Sequence, residues 1–280
     1  MIIKLINKIV KNLFNPHKIL LKIFDKLNYY LKLKQYKQEI FEKEQNIIFT
    51  SLGLDRKKGI KNLINIKKDL STYLEIERSM SSEHEVLFSS LSLIKNEPKI
   101  DILEIGTYDG FNSILLSKLF PYSNIETIDL PDNDKKFKNF YNRKDKKNEF
   151  VFDRNKILSK KKNIKFRELN SLNLVKFKKN YDLIWIDGAH GYPVVCIDII
   201  NSLNILKDNG LILCDDVHIN LNVKDSDHMY NSIASYETIK ELKEQNLIDF
   251  KLAYKRINPE HNCIKNKRKY IAIVNKIYAK

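Results

Sequence analysis

The second half of the chain alternates short apolar runs with amphipathic segments. Seven runs read as strands, because each is short, rich in branched apolar residues and bounded by polar or turn residues. They span residues 99–106, 124–130, 164–169, 181–187, 210–216, 249–255 and 269–277. Helical patterns lie between them, which predicts an α/β fold with a doubly wound, mostly parallel seven-stranded sheet. The last two strands are close enough in the chain to form an antiparallel edge.

The first third of the chain has a different pattern. We predict a basic α-helical region over residues 1–95, followed by a second domain over residues 96–280. Residues 1–37 carry nine lysines against one acid, Asp25, and their apolar residues recur at helical spacing on both sides of Pro16. These amphipathic helices are expected to pack on the main domain or on another subunit, and they could instead bind an anionic membrane surface.

Composition adds limited information about partners. The net charge is +15, but Lys, Asn and Ile dominate where Arg, Ala and Gly could serve, so compositional drift explains most of it. Three cysteines without a CxxC pair give no zinc site and no disulfide framework. No apolar run reaches the ~18 residues of a spanning helix. We therefore expect a cytoplasmic protein, peripheral on the inner face of a membrane if residues 1–37 bind there.

A polar insert over residues 132–163 separates the second and third strands. Between Lys135 and Lys162 there are twelve basic residues against three acids. Such a run is typical of a solvated face or a mobile loop. It could also be a lid over a negatively charged substrate, because it leaves the sheet at its carboxyl edge.

The turn after the first strand points to a ligand. The chain has only seven glycines, and five of them lie at predicted strand ends or starts. A glycine at such a place supplies a positive φ or lets a ligand approach the backbone closely. Tyr108 takes the place of the second glycine of a dinucleotide fingerprint, and the chain has no Gly-Lys-Ser/Thr phosphate loop.

The stretch from Glu104 to Gly110 reads E-x-G-x-x-x-G, and Asp129 ends the next strand, where a carboxylate can accept both hydroxyls of a ribose. This motif resembles the first motif of class I S-adenosylmethionine-dependent methyltransferases, which implies a Rossmann-like fold and S-adenosylmethionine as cofactor. Residues 80–280 also resemble the catechol and caffeoyl-CoA O-methyltransferases and the bacterial macrocin-type sugar O-methyltransferases. The resemblance implies cofactor contacts at Glu104, Gly106, Thr107, Gly110, Asn112, Asp129 and Ser171.

Three aspartates follow two predicted strands that are expected to be adjacent. Asp187 ends the fourth, and Asp215 and Asp216 end the fifth. Carboxylates that converge without lysine partners repel one another, and a hard divalent cation such as Mg²⁺ relieves that repulsion. The metal-dependent O-methyltransferases that the chain resembles carry acids at these positions. We therefore expect all three to bind a metal, although they could merely cap the loops that follow.

These residues together predict a metal-assisted O-methyltransferase that acts on a hydroxyl of a small molecule or a sugar. Candidate bases are His190, His218 and Asp187, and His84 joins them if its helix covers the cofactor. One alternative is a nucleic-acid methyltransferase, which the charge favours and which the lack of a base-methylation motif or an RNA-binding module disfavours. Another is a non-catalytic protein that binds the cofactor. The exposed amphipathic helices would also allow a homo-oligomer.

Overall fold

The computed structural model describes residues 16–74, 82–94, 99–139, 143–220 and 232–277. Its helices ahead of the first strand are α1 (Pro16–Gln35), α2 (Gln38–Ser51), α3 (Arg56–Leu74) and α4 (Glu83–Ile94). The helical region predicted from the sequence is therefore present from residue 16. The helix predicted ahead of Pro16 lies outside the described residues.

All seven predicted strands are confirmed. They are β1 (Asp101–Ile105), β2 (Asn124–Asp129), β3 (Ile164–Glu168), β4 (Tyr181–Ile186), β5 (Leu206–Val217), β6 (Ile248–Tyr254) and β7 (Tyr270–Lys276). They form one sheet in the order β3-β2-β1-β4-β5-β7-β6. The pairs from β3 to β5 are parallel, and β7 is antiparallel to both of its neighbours. The Rossmann-like fold with an antiparallel edge is confirmed.

Helices connect the strands on both sides of this sheet. They are α5 (Phe111–Leu119), α6 (Lys135–Asn139), α7 (Arg143–Ser159), α8 (Val194–Asn204), α9 (Ala234–Glu244) and α10 (Pro259–Asn262), with 3₁₀ turns at Ser171–Lys176 and Lys265–Lys267. The segment that the sequence suggests as an insert, 132–163, holds the helices that join β2 to β3. Arg154 of α7 is fully buried, pairs with Asp132 and lies 4.2 Å from the Phe166 ring centre.

The sheet is covered by apolar side chains on both faces. One core joins the sheet to α5 and also to α2, α3 and α4, through residues such as Phe49, Leu63 and Phe88. The other core packs α8 and α9 on the opposite face. The helices from residue 38 onward thus share a core with the sheet, while the predicted domain boundary at residue 95 stays a prediction.

Helix α1 differs from the other N-terminal helices in its exposure. Seven of its large apolar side chains are at least half exposed, namely Leu20, Leu21, Ile23, Phe24, Leu27, Tyr30 and Leu31. In the ranges that the structure describes, the helices are all too short or too polar to cross a bilayer.

The connections that follow β1 and β4 run to opposite sides of the sheet. This divergence positions the ligand crevice. Both strands end at the same edge, which we call the carboxyl edge, and a crevice opens there because the connections leave to opposite sides. Gly106, just after β1, has φ +103°, and a Cβ on it would lie 2.3 Å from the Asp187 carbonyl oxygen. Only glycine therefore lets these two chain segments lie side by side.

Replacing Gly106 with alanine should destabilise the protein. The substitution adds the strain of a positive φ to a clash with backbone that cannot rotate away, so we expect a loss of at least ~3 kcal/mol in the free energy of unfolding. Urea unfolding followed by circular dichroism measures this loss.

Gly53→Ala is the matched control, since Gly53 has φ +72° and nothing within 4 Å of a new Cβ. It should cost about 1 kcal/mol, from the backbone strain alone. Equal losses in the two variants would show that the contact with Asp187 does not matter.

Candidate functional site

The glycine turn, residues 106–110, forms the floor of the crevice. The backbone N–H groups of Gly106 and Thr107 donate to the Ile128 carbonyl, at 2.9 and 3.2 Å, which ties the turn to β2. Gly110 has φ +81° and begins α5, and a Cβ there would lie 2.8 Å from Leu158 of α7. Tyr108 also has a positive φ, and its ring centre lies 5.4 Å from that of Phe150. Helix α7 therefore lies directly against the turn.

Glu104 lies beneath the turn and holds it in place. Its buried carboxylate accepts hydrogen bonds from Asn112 Nδ2 at 2.7 Å, from Thr127 Oγ1 at 2.6 Å and from Ser113. Burial raises the pKa of Glu104 to about 7, although these three donors oppose the shift. Glu104 thus links β1, β2 and α5. Among the described residues, Asn112 Oδ1 is buried without a hydrogen-bond partner, so it is an acceptor suited to a ligand group.

Asp129 lies at the end of β2 beside the turn. Its Oδ2 accepts from the Tyr108 backbone N–H at 2.9 Å, and its Oδ1 accepts from the Leu130 backbone N–H at 2.8 Å. A carboxylate has about four lone-pair sites, so it can also accept ribose hydroxyls. The glycine turn, Asn112 and Asp129 fit the groups of S-adenosylmethionine. Ser171 follows β3 as predicted, and its side chain lies beside buried Asp198.

Asp187, Asp215 and Asp216, which we call the carboxylate cluster, lie at the carboxyl edge, at the ends of β4 and β5. A β-bulge brings the two acids of β5 to the same side. Cys214 pairs with Ala272 and Val217 with Tyr270, so Asp215 and Asp216 together oppose one residue of β7. Asp216 has φ +52°, a conformation that non-glycine residues rarely adopt. In a regular strand neighbouring side chains point to opposite faces, so the bulge is what lets both carboxylates meet one partner.

That partner is a lysine, and the prediction of unpaired carboxylates is wrong. Lys255 Nζ lies 2.5 Å from Asp215 Oδ2 and also bonds Asp216 Oδ1, and Lys269 Nζ lies 2.7 Å from Asp216 Oδ2. Burial would lower the pKa of Lys255, but Asp215 and Asp216 raise it well above its usual value. Burial would likewise raise the pKa of Asp216, which Lys255 holds below its usual range. Burial does raise the pKa of Asp215, to about 7.

Neither lysine is predicted from the sequence, although a signal for both exists there. Lys255 follows β6 and Lys269 precedes β7, and these antiparallel strands pair at Tyr254 and Tyr270. Because β7 runs antiparallel to β5, its first residues lie at the carboxyl edge. If β7 is assumed to insert between β5 and β6, both lysines are predicted to lie beside the aspartates.

The carboxylate cluster does not fit a divalent cation in this arrangement. The Lys255 ammonium group already bonds one oxygen of each β5 aspartate, and Lys269 bonds the second oxygen of Asp216. A dication ~3.5 Å from an ammonium is repelled by on the order of 10 kcal/mol at an effective dielectric constant of 20. Within the described ranges, no group of three or more acid, histidine or cysteine side chains is arranged to hold a metal. One of the two reasons for expecting Mg²⁺, repulsion among acids without lysine partners, therefore does not hold for Asp215 and Asp216.

His190 pairs with the third aspartate. Its Nε2 lies 3.5 Å from Asp187 Oδ1, and among the described residues its buried Nδ1 has no hydrogen-bond partner. Burial alone would lower the pKa of His190, but Asp187, Asp216 and Asp215 raise it above its usual value. This is the geometry of a base whose second nitrogen is oriented by a carboxylate. His218, two residues beyond Asp216, is also buried.

The N-terminal helical region reaches the site through the start of α4. The Glu83 backbone N–H donates to the Lys255 carbonyl at 2.9 Å. The His84 ring stacks on Trp185, with ring centres 5.0 Å apart. Burial, and then the charge of Lys255, lower the pKa of His84 to about 3, so its ring is neutral and cannot take a proton at neutral pH. His84 therefore packs beside the site, and its predicted role as a base is not favoured.

Histidine titration followed by nuclear magnetic resonance should separate the two rings. We expect His84 to stay neutral from pH 8 down to about pH 4, because its charged form would be buried beside Lys255. His190 should gain its proton at a pH above 6.5, the ordinary pKa, because Asp187 stabilises the imidazolium. The substitutions His84→Gln and His190→Gln assign the two signals. Two rings that both titrate near pH 6.5 would contradict the described packing.

Comparisons with known proteins agree with this geometry. Residues 103–217, less than half of the chain, match the model of a family described as a methyltransferase domain. This range contains the glycine turn, Asp129 and the carboxylate cluster. None of the curated proteins matches the chain.

Several solved structures are similar to this chain at low identity. They include a Staphylococcus aureus protein assigned as a caffeoyl-CoA O-methyltransferase, with 17% identity over 76% of this chain and 92% of that chain and a TM-score of 0.48. The O-methyltransferase TomG of Streptomyces achromogenes has 15% identity over 87% and 100%, with a TM-score of 0.47. An rRNA methylase of Streptococcus thermophilus has 10% identity over 72% and 100%, with a TM-score of 0.47.

At these identities and TM-scores the neighbours carry no conclusion about the activity or the acceptor of this chain. The family model and the strand order carry the conclusion. The resemblance that the motif at residues 104–110 indicates is confirmed, because residues 103–217 match the model of a methyltransferase domain and the sheet has the expected strand order.

Proposed function

We propose that this protein transfers a methyl group from S-adenosylmethionine to a hydroxyl oxygen of a small molecule or a saccharide. The observation that supports this is the 3.5 Å contact between buried His190 and Asp187, at the crevice where the glycine turn passes Asp187. A hydroxyl is a weak nucleophile until a base takes its proton. The acceptor class follows the sequence resemblance to catechol and sugar O-methyltransferases.

The side chains at the carboxyl edge have separate roles in this proposal. When bound, S-adenosylmethionine supplies an electrophilic methyl group, whose bond to sulfur breaks as the new bond to oxygen forms. His190 takes the hydroxyl proton at Nδ1, while its Nε2 stays directed at Asp187. Asp187 stabilises the imidazolium that results. Asp129 and the glycine turn hold the cofactor, and His218 stays a predicted base.

Metal assistance is not part of this proposal. The expectation of a metal depends in part on carboxylates without partners, whereas Asp215 and Asp216 are paired with Lys255 and Lys269. Asp215 and Asp216 are thus assigned to the lysines. This assignment rests on the contacts of the aspartates.

Two other functions predict different results in one assay. A nucleic-acid methyltransferase, suggested by the charge of +15, would label RNA rather than hydroxyl-bearing small molecules. A non-catalytic protein would bind the cofactor and transfer nothing. The contact of buried His190 with Asp187 favours a protein that moves a proton, because it orients an imidazole with a carboxylate at the crevice.

The proposal is tested with S-adenosylmethionine labelled in its methyl group and a panel of phenols, sugars and total RNA. We expect label in a phenol or a sugar, and a rate that rises with pH through the raised pKa of His190, because only the neutral ring accepts a proton. His190→Gln should lower the rate by about 10²-fold or more and abolish this rise.

Two further variants are the controls. His261→Gln removes an exposed histidine that bonds Asn258, and it should keep both the rate and the pH dependence. Asp129→Asn should weaken S-adenosylhomocysteine binding in calorimetry, which His190→Gln should leave intact. Label that appears only in RNA, or a His190→Gln rate equal to wild type, would refute the proposal.

We further propose that α1 binds an anionic membrane surface. Residues 16–35 carry five lysines against one acid, and Phe24 and Leu27 are 65% and 58% exposed. An amphipathic helix with lysines and an uncovered apolar face is suited to the interface of an anionic bilayer. In the described ranges the rest of the chain does not cover this apolar face of α1, so the face is available to a surface.

Co-sedimentation with phosphatidylglycerol vesicles should show binding of the full chain that salt weakens. The double variant Phe24→Ser/Leu27→Ser should bind at least about tenfold more weakly, because each side chain contributes ~1.5–3 kcal/mol when buried. The control is Ile64→Ser, which removes an exposed apolar side chain of α3. Wild type that ignores vesicles but forms a dimer that the double variant disrupts would assign the face to a second copy.

A further inference from the structure

Two lysine ammonium groups lie within hydrogen-bond distance of the carboxylate cluster. Lys255 Nζ bonds both Asp215 and Asp216, and Lys269 Nζ bonds the second oxygen of Asp216. The side chains of Lys255 and Asp215 are 10% and 2% exposed. Burying an ion pair costs desolvation energy, so the groups around Lys255 and Asp215 must hold the pair in place.

The backbone of Lys255 is fixed from several sides. Its N–H donates to the Lys269 carbonyl at 2.9 Å, and its carbonyl accepts from the Glu83 N–H at 2.9 Å. Glu83 is itself bonded by the Arg56 guanidinium through two contacts of 2.7 Å. Helices α3 and α4 and the start of β7 thus position the residue. Lys255 is therefore held at a fixed position at the carboxyl edge.

We propose that the Lys255 ammonium group takes the place of a divalent cation at this site, so that the protein transfers the methyl group without a metal. This inference rests on the proposed function. An ammonium group has three N–H donors. In the described part of the chain two of them bond Asp215 and Asp216, which leaves one for the acceptor oxygen.

The step balances without a metal. The hydroxyl proton moves to His190, the oxygen forms a bond to the methyl carbon, and the sulfonium becomes a neutral thioether. The ammonium group keeps its proton and donates a hydrogen bond to the oxygen while negative charge develops on it. A metal would instead bind the oxygen directly. The two cations exclude each other because both would lie against Asp215 and Asp216 at a distance where their charges repel strongly.

The test uses Mn²⁺ alone, with neither cofactor nor acceptor, so it is independent of whether methyl transfer occurs. Free Mn²⁺ is measured by electron paramagnetic resonance during titration of the full chain. We expect no specific site in wild type. Lys255→Met leaves the aspartates without their main cation, and it should bind Mn²⁺ at least about tenfold more tightly than wild type.

The control is Lys251→Met, an exposed lysine of β6 that bonds Ser51, and it should behave as wild type. If Lys255→Met does not fold, as judged by circular dichroism, Lys269→Met removes the second cation and should show a smaller gain. A tight Mn²⁺ site in wild type would overturn the proposal. Folded Lys255→Met and Lys269→Met that both bind no better than wild type would also overturn it, because the lysines would then not occupy a metal position.

Discussion

The site depends on one tight backbone contact, between the glycine turn and the chain that leaves β4. Gly106 and the Asp187 carbonyl approach so closely that no side chain fits between them. This contact exists because β1 and β4 are neighbours whose connections run to opposite sides of the sheet. It places the turn that fits the cofactor next to the aspartate that pairs with His190. Cofactor site and proton acceptor are thus brought together by one strand pair.

The second organising feature is the burial of charge at the carboxyl edge. A bulge in β5 aims Asp215 and Asp216 at one side, and the antiparallel β7 brings Lys269 to the same place. Buried carboxylates are costly unless they are paired and hydrogen-bonded. The lysines meet that requirement from the protein's own chain. They also leave His190 with Asp187, so the cluster divides into an ion-paired part and a part suited to proton transfer.

The N-terminal helices contribute to the site as well as to the core. Helices α2, α3 and α4 share a core with one sheet face, and α4 begins beside Lys255. Arg56 and Gln45 bind Glu83, the first residue of α4, and so fix this junction. Helix α1 is different, because its apolar side chains face away from that core. Helices α2, α3 and α4 therefore belong to the folded core, while α1 is available to bind a surface.

The sequence by itself determined the fold class, all seven strands and the glycine turn, since these depend on local periodicity and on short motifs that few other conformations satisfy. It also placed Asp187, Asp215 and Asp216 at one edge, because parallel strands end together. It could not show what neutralises them. Lys255 and Lys269 are separated from the aspartates by about 40 to 50 residues, and only the insertion of β7 between β5 and β6 brings them into contact. Long-range pairing of charges is decided by strand order, which tertiary packing sets.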